Sequence, residues 1–281
     1  MGSRLLKPGS EWNRRDFLKL GTALTGGALY AGMVSGQISV ATNSTKEILA
    51  EYLRRGFGVK NQLTIWWQRG VSYAETGNKR IPLHGIEQAI FACRTGALND
   101  RPRLLMFSLT YVTDLHHHAI LHTLRNPLTG KIHRVAQERS ALEIFVPTLT
   151  SFEPINAASP GAGKCSRSNR VAIKRLSQQQ FCMEFSCKDR TSASTGVTSL
   201  VVPATQPPAP NQHCPTSLVT QSQWPEWMHM NDRAGWVHSE MHGARFLDPA
   251  DLPDSFVEKA RRIHPWVIRN PQDWLNVKIK T

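Results

Sequence analysis

Leu63-Thr64-Ile65-Trp66-Trp67-Gln68-Arg69-Gly70-Val71-Ser72-Tyr73 is the stretch whose reading decides the fold class. Its two apolar, aromatic-rich halves flank Gly70, which predicts two strands joined by a hairpin turn there. Working outward, Gly77-Asn78-Lys79 marks a second turn and Leu83 to Cys93 reads as a further strand. Arg103 to Val112 is apolar and β-prone, with Leu104, Leu105, Met106, Phe107, Leu109 and Tyr111. Thr113-Asp114 turns the chain and His118 to Leu124 returns it. Asn126-Pro127-Leu128-Thr129-Gly130 is a turn in which Pro presets its own φ and Gly supplies a positive one, and Lys131 to Val135 leaves as the next strand. Strands this closely spaced predict a mainly β protein, an antiparallel meander forming a barrel-like, calycin-like sheet. No strand is followed by a convincing helix, which excludes a doubly wound fold.

Short helices flank the meander. Ser44-Thr45-Lys46-Glu47 is a capping box, Ile48, Leu49, Tyr52 and Leu53 follow at helical spacing, and Gly56 can end that helix. After Asp251-Leu252-Pro253, Phe256, Val257, Ala260 and Ile263 share one face of a second helix. Asp273 to Ile279 reads as a closing strand. Residues 153–223 break the pattern, being rich in Ser, Thr, Gln, Pro and Gly. They read as a poorly ordered insertion within a single domain of residues 42–281, or as a stretch translated in the wrong frame.

The first residues carry an address. Asn13-Arg14-Arg15-Asp16-Phe17-Leu18-Lys19 has the twin-arginine pattern, followed by a weakly apolar run rich in Gly, Ala and Thr. Ser39-Val40-Ala41 places small residues at a cleavage site, so residues 1–41 read as a twin-arginine signal peptide. The expectation is therefore export to the periplasm or beyond, with the twin-arginine translocase as a partner during export. About 240 residues remain after cleavage, without a stable membrane insertion.

Charge and cysteines bound the partners. The net charge is +13, but the basic residues are scattered rather than clustered with stacking aromatics, which argues against a nucleic-acid binder. Cys93, Cys165, Cys182, Cys187 and Cys214 are an odd number with no C-x-x-C spacing, so they form no disulfide framework, although one bridge is possible among the last four.

Several stretches together resemble the bacterial and fungal family defined by domain of unknown function 1838. They are Ile65-Trp66-Trp67 with Gly70 and Tyr73, His84-Gly85-Ile86-Glu87, and Arg125 to Gly130. Further on come Trp224-Pro225-Glu226-Trp227-Met228-His229-Met230, Asp232-Arg233-Ala234-Gly235, His242-Gly243, Asp251-Leu252-Pro253 and Trp274. Members of that family often carry a twin-arginine leader. The resemblance implies a β-rich fold and assigns no reaction. It spans roughly residues 60–150 and 222–278, omits the middle segment, and departs at Asn231, where the family tends to have Gly.

Four groups of residues could carry chemistry. Asp114, His116, His118 and His122 would converge on Zn²⁺ if they lay along one strand face, but a turn at Asp114 leaves His116 and His117 in solvent, and the turn is the preferred reading. His229, His238 and His242 stand near Asp232, Arg233 and Glu240, where a carboxylate could orient an imidazole for acid–base work; a polar loop is the plain alternative. Trp66, Trp67, Tyr73, Tyr111, Trp224, Trp227, Met228 and Met230 would either line a barrel mouth or fill the core. Arg69, Arg125 and Arg233 could then hold an anionic or carbonyl group of a ligand, with His84 or His242 as acid–base residues.

No Ser elbow, Walker loop or dinucleotide fingerprint is present, so no cofactor and no metal are expected. The expected site thus comprises His84, His242, Asp232 and Arg233 as catalytic residues. Trp66, Trp67, Arg69, Tyr73, Tyr111, Arg125, Trp227 and Met230 would bind the ligand. The expected function is a cofactor-independent acid–base enzyme, an isomerase, lyase or hydrolase, acting on a small apolar or aromatic metabolite. The alternative is a non-catalytic small-molecule carrier with a β-barrel pocket.

Overall fold

The structure, a computed structural model, describes residues 45–98, 101–139, 143–148, 152–155, 167–175, 180–189, 194–203, 214–230, 233–265 and 267. The chain divides into Met1–Asn43 and Ser44–Thr281, and only the second unit is described. The twin-arginine leader with its Ala41 cleavage site therefore lies outside the described residues, as do Asn231, Asp232 and the closing strand expected at 273–279.

Helix α1 is Thr45–Phe57 and helix α2 is Asp254–Ile263. Between them run β1 (Leu63–Thr76), β2 (Lys79–Leu98), β3 (Arg101–Thr113), β4 (Thr123–Arg125), β5 (Ile132–Arg134), β6 (Glu138–Arg139) and β7 (Glu143–Pro147). Then come β8 (Phe152–Ile155), β9 (Arg167–Arg175), β10 (Gln180–Asp189), β11 (Ser194–Pro203), β12 (Cys214–Ser222) and β13 (Trp236–Phe246). The protein is mainly β, as its strand spacing predicts. One antiparallel sheet follows the order β8-β7-β3-β2-β1-β13-β12-β11-β10-β9, with β6 on β3, and β4 and β5 form a separate hairpin. Among the described residues no helix is long and apolar enough to cross a membrane.

The sheet is curled, and its packing shows which face is concave. Side chains alternate between faces along a strand, and directly paired residues share a face. Trp66 on β1, Ala92 on β2, Leu104 on β3, Leu200 on β11 and Cys214 on β12 all pack into one cluster with Leu53 and Phe57 of α1. A flat sheet would hold β3 and β11 far apart, so the strands must wrap around α1. β8 and β9, the two ends of the strand path, also approach each other. The opposite, convex face of β1, β2, β3 and β13 is covered by α2, with Phe256, Val257 and Ala260 packed on Ile65, Phe91, Phe107, Tyr111 and Phe246.

Two glycines permit the curl. A Cβ at Gly70 would overlap the Glu240 carbonyl oxygen, and one at Gly243 would overlap the Trp67 carbonyl oxygen. β1 and β13 therefore close on each other at these points as only glycine allows. This corrects the expected hairpin at Gly70: β1 runs unbroken through it, and the chain reverses at Gly77, whose φ is 56°.

Two further expectations are revised. α1 ends at Gly58, with φ 73°, rather than at Gly56, because the sheet caps its last turn. Arg245 donates to the Arg55 carbonyl, Trp66 Nε1 to Gly56 O at 3.3 Å, and Arg94 Nη1 to Gly58 O at 3.0 Å. These donors satisfy carbonyls that a helix end leaves open and place positive charge against the negative end of its dipole. The return expected over His118 to Leu124 is irregular until β4. Within 153–223, the described residues form strands β9 to β12 and the end of β8. β12 shows why these strands are faint in the sequence: Cys214 and Thr216 are buried at alternate positions with Leu218 while Val219 faces out, so small residues occupy inward positions that large apolar ones usually mark.

Candidate functional site

The alternation of β1 places Thr64, Trp66, Gln68, Gly70 and Ser72 on the concave face, with Leu63, Ile65, Trp67 and Arg69 on the convex one. Register then assigns the neighbours. Gln68 is paired with Gln88 and Ser72 with His84 on β2, while Ser72 faces Ser239 on β13. The hydroxyls of Ser72 and Ser239 lie 2.8 Å apart. Gln68 Nε2 donates to Thr216 Oγ1 on β12 at 2.7 Å, reaching across the side-chain gap left by Gly243 on the intervening strand. Gln88 Nε2 donates to Thr110 Oγ1 on β3 at 3.0 Å. Among the described residues, four buried polar atoms on this face have no hydrogen-bond partner: Gln68 Oε1, Gln88 Oε1, Thr64 Oγ1 and Arg245 Nε.

His84 is 3% exposed on the same face. Burial lowers its pKa, and a hydrogen bond to the Gly85 carbonyl at 3.0 Å only partly opposes that, so the ring is neutral near neutral pH. If Nδ1 carries the proton for that bond, Nε2 is left with its lone pair. Trp227 stands beside it, ring centroids 6.1 Å apart.

Trp227 belongs to a short 3-10 turn, Glu226–Met228, that packs at this end of the sheet with Met228 and Met230 on Ala74, Leu83 and Val237. The turn is braced from the β4–β5 hairpin. Asn126 is fully buried and donates to Met230 Sδ, and Arg233 Nη1 donates to Leu128 O at 2.7 Å. Trp224 Nε1 donates to Arg233 O at 2.8 Å.

A second polar group lies on the convex face beneath α2. Glu87 is wholly buried and accepts from Trp67 Nε1 at 3.0 Å, from Arg69 Nη2 at 2.8 Å and from Lys259 Nζ at 2.7 Å. Arg69 Nη2 also donates to Ser255 Oγ at 2.7 Å. Tyr111 and His264 are linked at 3.0 Å nearby, and burial, helped by Glu87, raises the Tyr111 phenol above its ordinary range. These contacts tie α2 to the sheet.

The expected site residues are thus divided. Trp66 and His84 are on the concave face, and Trp227 and Met230 close one end of it. Trp67, Arg69, Tyr111 and His242 are on the convex face, so His84 and His242 do not meet. Tyr73 is also outside, beneath Arg80, whose guanidinium carbon is 3.9 Å from its ring centroid. Arg125 is exposed and donates to Gly130 O at 3.1 Å, and Arg233 braces the 3-10 turn. Asp232 lies outside the described residues.

The Asp114 stretch forms a loop. The carboxylate accepts from the backbone N–H groups of His116, His117 and Ala119 at 2.9, 2.6 and 2.6 Å. His116, His117 and His122 are exposed, and His122 Nε2 lies 2.9 Å from Arg262 Nη2. Among the described residues no three His, Cys, Asp or Glu side chains form a group suited to a metal ion. Among the described residues, Cys93 and Cys214 are free, buried thiols.

Gln68, Gln88, Thr216 and Ser239 were not expected in the site, nor was the Glu87–Lys259 pair. Their sequence signal is faint: a polar residue at every fourth position of β1, Thr64, Gln68 and Ser72, on the face that also carries Trp66, Gly70 and Ala74. No family model matches the chain, and no curated protein matches it either.

Proposed function

We propose that this chain binds a small, largely apolar or aromatic molecule on the concave face of its sheet. The observation that carries the reading is the composition of that face: buried polar side chains stand among Trp66, Met241 and Ile90, bounded by α1 at one end and by Trp227 at the other. A face that served only as core would be apolar throughout, since each buried polar group costs free energy unless it is paired. The closed, calycin-like barrel belongs to this proposal and is supported by the approach of β8 to β9. Export through the twin-arginine translocase to the periplasm or beyond, and kinship with the domain of unknown function 1838 family, rest on the motifs quoted above.

The test is fluorescence titration of the purified protein with a panel of aromatic metabolites, repeated on Trp66→Phe and Trp227→Phe. Saturable quenching that falls in both variants supports the reading; no saturable response across the panel sinks it. A second reading, cofactor-independent acid–base catalysis, is favoured by His84, a buried neutral imidazole beside Trp227. It requires turnover of a bound compound, abolished by His84→Ala. Binding without turnover, unchanged in that variant, selects the carrier.

A further inference from the structure

We propose that Gln68 and Gln88 form a hydrogen-bonding clamp that selects a ligand bearing a hydroxyl group on an apolar or aromatic skeleton. The inference rests on the concave face being the binding surface and names the chemistry it reads.

The two glutamines are direct partners on adjacent strands, so their amides project from neighbouring points of one face. Each is anchored from the far side. Thr216, two strands away on β12, takes the Gln68 amide nitrogen, and Thr110, on the adjacent β3, takes that of Gln88. Each carboxamide is thereby held at one end, and both carbonyl oxygens are buried without a donor among the described residues.

Gln68 is 0% exposed, so bulk water does not supply that donor. A hydroxyl placed between the strands would supply it, and it could also accept from a neighbouring donor in turn. Ile86, Ile90 and Met241 flank the pair on the same face and suit an apolar skeleton. A polar pair set in an apolar surround is how a site fixes the orientation of a ligand that is otherwise held by burial.

The probes are 2-naphthol and 2-methoxynaphthalene, which share a skeleton and differ in the hydroxyl proton. Both are titrated calorimetrically into the full chain. The expected result is that wild type binds the alcohol about tenfold more tightly than the ether, the effect of one buried hydrogen bond. In Gln88→Leu, a half-buried position, and in Gln68→Leu, the ratio falls to within about twofold because the alcohol alone weakens. The wild-type ratio needs no variant, so the clamp can be refuted even if Gln68→Leu does not fold.

Equal binding of the two probes to wild type overturns the clamp and leaves the concave-face reading standing. Equal weakening of both probes by Gln88→Leu also overturns it, because the amide then only supports the strand. Binding of neither probe overturns the clamp together with the reading beneath it.

Discussion

Glu87→Gln removes one negative charge and almost no volume, so it isolates the electrostatics beneath α2. The carboxylate is fully buried, and the Lys259 and Arg69 side chains that it pairs with are 10% and 25% exposed. Breaking a buried pair by neutralising one member typically costs about 3–5 kcal/mol, because the partner charge stays buried and uncompensated. Arg69 keeps its bond to Ser255 and some hydration, and Lys259 keeps the Ser255 carbonyl at 3.1 Å, which argues for the low end. A loss of about 3 kcal/mol is expected, or a fall in Tm of roughly 6–12 °C for a chain of this size. Urea unfolding should show a lower midpoint at unchanged slope. In a double-mutant cycle with Lys259→Met, the pair should couple by roughly 1–3 kcal/mol. A loss below about 1 kcal/mol, the range of exposed ion pairs, would refute the argument that Glu87 is sealed from solvent.

Three other outcomes follow from the same geometry. Burial lowers the pKa of His84 below its unfolded value of about 6.5, so the unfolded chain binds the extra proton. The stability that His84 confers is complete above about pH 6.5 and is lost as pH falls toward the folded pKa, at up to about 1.4 kcal/mol per pH unit. Urea midpoints of His84→Gln should accordingly fall less steeply with acid than those of wild type. Gly243→Ala sets a methyl against the Trp67 carbonyl oxygen and should cost more than about 3 kcal/mol or prevent folding, whereas Gly130→Ala, which meets open space at φ +71°, should cost only about 1 kcal/mol; thermal melts compare the two. Asp114→Ala releases three backbone N–H groups and should cost roughly 0.5–2 kcal/mol, read as faster amide exchange at His116, His117 and Ala119.

The β-rich class was legible because the aromatic and branched runs of β1, β2 and β3 are local signals. α2 was legible because Phe256, Val257 and Ala260 mark one face at helical spacing. Gly70 was misread because its cause is not local. A glycine between Arg69 and Val71 looks like a turn until β13, near the far end of the chain, is laid against it. The strands of 153–223 were hidden for a related reason. Their inward positions hold residues such as Cys214, Thr216 and Gly196, whose burial depends on the curl of the whole sheet rather than on their own hydrophobicity. The site was the least legible part. His84 and His242 look alike in sequence, and only their register, opposite Ser72 and opposite Arg69, sends them to different faces.

That difference between the faces bears on function more than any single residue does. Along β1 the convex positions Leu63, Ile65 and Trp67 form a conventional apolar core with α2, and their one buried carboxylate, Glu87, is fully paired. Along the same strand, the concave positions Thr64, Gln68 and Ser72 are equally buried, yet two of the three present atoms with no partner. Hydrogen bonds made within a fold add about 1 kcal/mol each, whereas a buried group left unmade costs up to about 3 kcal/mol. Leucine or valine at these concave positions would therefore serve stability better. β1 pairs its convex polar groups and leaves Thr64 and Gln68 open on the concave side, while Thr113 Oγ1 on the convex side of β3 is also without a partner; open groups of this kind give up stability and concentrate where a ligand completes the bonding.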